Sequence, residues 1–127
     1  MKKNIISHPG DWSRWVAEIK LSLASAEGNK HIGDRIVFEN NDFRIWQIHL
    51  PAGESLPFHK HENRYFWTVL TEGKAISYYN DGSIVESEYE IGDTKYFADL
   101  NEENYFIHNL ENIGNTTLIF ITVEFLN

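Results

Sequence analysis

The chain has 127 residues and a formal net charge of −8, with 42% apolar residues, 14% aromatic residues and no cysteine. That length suits one domain with a buried core, and the apolar and aromatic content excludes a disordered chain. The acidic excess argues against nucleic acid and anionic membrane surfaces as partners, and the missing thiols leave histidine and carboxylate as the protein metal ligands.

The opening "MKKNIISHPGDW" has two lysines, but its apolar patch ends at Ser7, too short for the core of a secretory signal. No run reaches the roughly 18 apolar residues of a membrane helix, so a cytoplasmic protein is expected. After Pro9 and Gly10, Asp11 is placed to cap a helix in which Trp12, Trp15, Val16, Ile19 and Leu23 recur at helical spacing, closing near Gly28. Residues 1–31 are therefore expected to form a helical segment packed on a β domain of residues 32–127. The two tryptophans are expected to supply buried area and no chemistry.

From Ile32 onward, short β-rich runs cover 35–38, 43–50, 64–70, 75–79, 84–90, 95–97, 105–108 and 118–125, separated by turn residues such as Asn40-Asn41-Asp42 and Pro51-Ala52-Gly53. Asp81-Gly82 predicts a hairpin with a primed turn. About eight strands after one helix predict an all-β domain, a closed or nearly closed antiparallel barrel or sandwich. The sequence has no Gly-rich phosphate loop and no Gly-x-Ser-x-Gly elbow.

Six histidines remain as the informative residues. His8 and His31 sit in turn-like stretches, and His49 ends an alternating strand. His59 and His61 differ, because the two-residue period of a strand sends both imidazoles to one face, about 6 to 7 Å apart along the chain.

The stretch "GESLPFHKHENRYFWTVLTEG" resembles the first motif of the cupins, small β-barrels that commonly hold a metal. Gly53, His59, His61 and Gly73 match it. The motif glutamate is absent: spacing from Gly73 puts Phe66 at its position, and strand alternation from His61 puts Tyr65 there. Gly92-Asp93 is similar to the start of the second motif, and "HNLENIGN", with His108, Asn112 and Gly114, to its end. Between them the motif's proline and second glycine are missing, and the segment is five residues longer. Within the superfamily, the sequence looks most like single-domain cupins described as β-alanine degradation-like proteins.

The resemblance implies a cupin jelly-roll-like antiparallel β-barrel with His59, His61 and His108 as ligands of one divalent metal. It also implies oxygen activation at Fe(II), with a small carboxylate or dicarbonyl compound as substrate; Zn, Mn and Ni stay open as the metal. Tyr65, in place of the missing carboxylate, is the candidate acid or orienting donor. Phe58, Trp67, Tyr96 and Phe106 are candidate pocket residues, and Gln47 and His49 candidate partners of the metal-bound rings. A non-catalytic small-ligand or metal-binding module and a metal-dependent lyase or isomerase are the competing readings. The resemblance, together with the apolar alternation of "TTLIFITVEFL" as a supposed edge strand, predicts a homodimer.

Overall fold

A computed structural model describes residues 1–26 and 28–126. Its strands form two five-stranded sheets in which every pairing is antiparallel. One runs β1 (Lys2–Ser7), β7 (Ile84–Tyr89), β6 (Gly73–Tyr78), β9 (Phe106–Asn112) and β4 (Ser55–His61). The other runs β2 (Arg35–Glu39), β3 (Phe43–Leu50), β10 (Leu118–Phe125), β5 (Tyr65–Val69) and β8 (Thr94–Phe97). A single helix, α1 (Ala17–Ala24), lies between β1 and β2 in sequence. The all-β expectation with one N-terminal helix holds.

Period-two burial builds the space between the sheets. Leu118, Phe120, Thr122 and Glu124 point inward from β10, and Trp46, Ile48 and Leu50 from β3. Ile48, Leu50, Val69, Leu110, Leu118 and Phe120 pack there with Leu56, Ala75 and Tyr89. A second cluster of Trp15, Ala26, Phe58, Ile84 and Ile107 lies on the other face of the β1-containing sheet, covered by the N-terminal segment.

Two motif positions explain themselves at the strand ends. Gly53 has φ +82°, which an L side chain rarely adopts. Gly73 needs its missing side chain for space, because a Cβ there would stand 2.8 Å from Leu118 Cδ2 and from Thr116 Oγ1. Asn112 staples the same end: its Nδ2 donates to the carbonyls of Leu50 and Thr116, and its Oδ1 accepts from the Gly114 amide.

Several expectations are corrected. The N-terminal segment is not only helical, since Lys2–Ser7 joins a sheet by pairing with β7. The helix is half the expected length, because the Asp11 side chain accepts from Ser13 N and Ser13 Oγ in a local turn and caps nothing. Trp12 and Trp15 precede the helix, with Trp15 buried and donating to the Gly82 carbonyl. Gly82 alone in its turn has positive φ, so the hairpin is a three-residue turn closed by the Tyr79 amide on the Ser83 carbonyl and not a primed two-residue turn. β10 is the central strand of its sheet, between β3 and β5, and offers no free edge.

Candidate metal centre

β4 and β9 pair in a register that sets His59 directly opposite His108 and His61 opposite Phe106. The register slips between Leu56 and His59, where Pro57 has no amide to give to the ladder and a bulge inserts one residue. The bulge turns Leu56, His59 and His61 to the inside together, while Phe58 is left on the opposite side against Trp15. The rings of His59, His61 and His108 form a near-equilateral triangle, with centroids 4.8, 4.7 and 5.0 Å apart. One ring nitrogen from each lies within 4.8 Å of the other two.

The protonation of this triangle follows from burial. His59 Nδ1 lies 2.7 Å from the Pro57 carbonyl, which can only accept, so Nδ1 carries the proton and Nε2 keeps its lone pair. Burial brings His59 down to about 4, against the opposing pull of the Pro57 carbonyl. Burial, together with the charges of the neighbouring rings, holds His61 well below its ordinary value. His108 is held well below by burial, by His59 and by Lys3. All three are neutral at pH 7, the form that ligates metal.

His61 Nε2 and His108 Nε2 face each other at 3.1 Å, and the buried Nδ1 atoms of both rings have no partner. One proton at most fits between two such nitrogens, so a protein-only arrangement leaves polar atoms unpaired. Three imidazoles, with no buried carboxylate joining them, fit a divalent cation. Glu124, the one buried acidic residue among those described, accepts from Trp46 Nε1 and Asn63 Nδ2 and stays out of the cluster.

The histidines border a cavity of about 60 Å³ between the sheets, room for roughly five waters. Tyr65 lines it, buried and stacked on His61 with centroids 4.1 Å apart. Phe66 lies on the other face of β5 against Phe125, so the inward phase after His61 belongs to Tyr65. Burial and the neighbouring Tyr79 and Tyr89 push the Tyr65 hydroxyl well up, which keeps it a donor. Trp67 also lines the cavity, and Phe106 packs on His61 and His108 at 4.9 Å.

Four expected pocket residues lie elsewhere. Gln47 and His49 share a face of β3, but it is the outer one: Gln47 accepts from Arg35, and His49 is exposed. Tyr96 is 52% exposed and accepts from Arg64. Phe58 belongs to the outer cluster with Trp15. Tyr79, Tyr89, Ser77, Ser87, Lys3 and Lys95 line the cavity without having been singled out from the sequence. The one available signal was phase: Lys95 and Phe97 alternate on the face of β8 that meets Trp67 and Tyr65.

No protein-family model matches the sequence, and no curated protein matches it. Solved structures do. A cupin domain from Bordetella pertussis superposes with a TM-score of 0.62 at 19% identity, covering 73% of this chain and 91% of the other. A double-stranded β-helix protein from Klebsiella pneumoniae gives 0.57 at 21%, over 87% and 89% of the two chains. An RmlC-like cupin from Methanocaldococcus jannaschii gives 0.54 at 21%, over 76% and 84%. This is the cupin fold. In it, the triangle of histidines sits on adjacent strands of one sheet and faces the inner space, so the cupin frame and the candidate centre are parts of one arrangement. No helix among the described residues is long and apolar enough to cross a membrane.

Proposed function

We propose that this cupin binds a divalent metal through His59, His61 and His108 and transforms a small carboxylate or dicarbonyl compound, with Fe(II) and dioxygen as the favoured pair. The observation that carries the reading is the triangle of imidazoles, His59 and His61 buried and His108 partly so, with their nitrogens within 4.8 Å and burial holding all three toward the neutral form. A metal so held supplies Lewis-acid or redox chemistry at coordination positions the protein leaves open. The chain's own residues orient and enclose. Pro57 fixes the tautomer of His59. Tyr65 stacks on His61 and keeps an O–H for a substrate oxygen, and Trp67, Phe97 and Phe120 keep water out. The similarity to β-alanine degradation-like cupins is part of this reading and bears on the fold more than on the reaction.

Metal analysis of untagged protein, followed by oxygen uptake with β-dicarbonyls and amino or sulfonic acids, tests the proposal. Near-stoichiometric metal with substrate-dependent uptake is expected. Metal below one-tenth equivalent after Fe(II) reconstitution overturns it. Bound metal without uptake turns the reading toward the lyase or the non-catalytic binder, which the lack of a carboxylate ligand favours. The homodimer stays part of the proposal, now through β2, an edge strand exposing Ile36, Val37 and Phe38. Val37→Lys is expected to give a monomer in light scattering with its metal content intact.

A further inference from the structure

Carboxylates outnumber lysines and arginines by 19 to 11 in this chain, yet the residues that line the cavity include two lysines and no aspartate or glutamate. Lys3 stands on β1 opposite Ser87, and Lys95 on β8 opposite Trp67; Ser87 and Trp67 both line the cavity. Each lysine thus takes the inward phase on an edge strand of its own sheet. The ion pairs among the described residues use neither of them. Lys95 Nζ lies 4.9 Å from the centre of the Phe97 ring. Lys3 is exposed and Lys95 half-buried, and desolvation with the adjacent Lys95 brings Lys3 down to about 8.

Two ammonium groups side by side repel each other, and an anion set between them removes that cost while gaining charge-assisted hydrogen bonds. Ser77, Ser87 and Thr122 add hydroxyl donors around the same space. We propose that Lys3 and Lys95 bind a carboxylate of a small ligand whose other end reaches the three histidines, so that the substrate class is a short-chain compound with an anionic group at each end. The proposal rests on the metal reading for the far end alone. A ladder of rings links the two poles, in steps of 4.9 Å from Lys95 to Phe97, 4.6 Å from Phe97 to Tyr65 and 4.1 Å from Tyr65 to His61. The separation cannot exceed those three steps taken in line. A cavity of about 60 Å³ keeps the ligand to the smallest members of that class and excludes sugars and nucleotides.

Calorimetric titration of the zinc-loaded protein at pH 7 with succinate and with butyrate tests this, since the two share a carbon count and differ by one carboxylate. Succinate is expected to bind wild type at least about tenfold more tightly than butyrate. In Lys3→Gln and Lys95→Gln the preference should fall to within about threefold with zinc content unchanged, and Lys95→Arg should retain most of it. Equal affinities in wild type, or a preference that survives the double Gln variant, overturns the assignment. Succinate titrations of EDTA-stripped protein separate the two readings. Lysine-dependent binding there, in a protein that takes up no zinc, keeps the anion pair and sinks the metal centre; zinc uptake with no succinate preference does the reverse.

Discussion

His59 owes its tautomer to a backbone carbonyl two residues away, whereas His61 and His108 have no partner for Nδ1. The three rings are therefore unequal supports for an ion. Removing either unsupported ring should cost the metal without costing the fold, because the buried apolar residues of both clusters lie outside the triangle. For His61→Ala and His108→Ala, metal content below one-tenth equivalent is expected, with a far-ultraviolet circular dichroism spectrum like wild type; collapse of both spectra would contradict the division. Tyr65 calls for a subtler change. Tyr65→Phe keeps the stack on His61 and Phe97 and deletes only the hydroxyl. Metal should stay stoichiometric while substrate-dependent oxygen uptake drops by about 10² or more, the usual size of a lost proton-donating group. Unchanged turnover would reduce Tyr65 to packing.

At the level of elements, what the sequence revealed tracks the regularity of the backbone. Seven of the eight predicted strands differ from the observed ones by no more than two residues at either end, because alternation and turn residues act locally; only β9 extends further, from His108 to Asn112. β4, Ser55–His61, is not among the eight predicted runs, so His59 and His61 are legible from their two-residue spacing and the first motif, and His108 from the second. Leu56 reaches the cavity only through the Pro57 bulge, which period-two counting does not contain. Gln47 and His49 were assigned to one face of β3, as they are, but nothing in a strand's own alternation says which face is inward. β1 was missed because "KKNIIS" lies at a sheet edge, where Ile5 stays 53% exposed and no apolar period is needed. The N-terminal segment still matters for stability. Trp15 fills the outer cluster and donates to Gly82, so Trp15→Ala is expected to cost about 3 to 5 kcal/mol in urea unfolding. A loss under about 1 kcal/mol would mean that this segment is only loosely attached.

For the whole molecule, holding three neutral imidazoles between the sheets ties stability to pH. In the unfolded chain each histidine takes its proton near 6.5, while folded His59 does so only near 4, and His61 and His108 are displaced in the same direction. Between those values the unfolded state binds more protons, so stability rises with pH. The contribution is complete above about 6.5 and is lost as pH falls toward 4. Asp11, Glu62 and Asp93 are held below the usual carboxylate values and add their losses only at lower pH. By pH 5, His59 alone accounts for a loss on the order of 2 kcal/mol. For EDTA-stripped protein that corresponds to a drop in Tm of about 5 to 10 °C between pH 7.5 and pH 5, measured by differential scanning calorimetry. Saturating zinc should raise Tm most at pH 7.5 and progressively less as protons compete for the rings. A stripped protein whose Tm is flat across this range would mean that the three rings are solvated, and an open, hydrated triangle would bind metal far less tightly than the buried one described above.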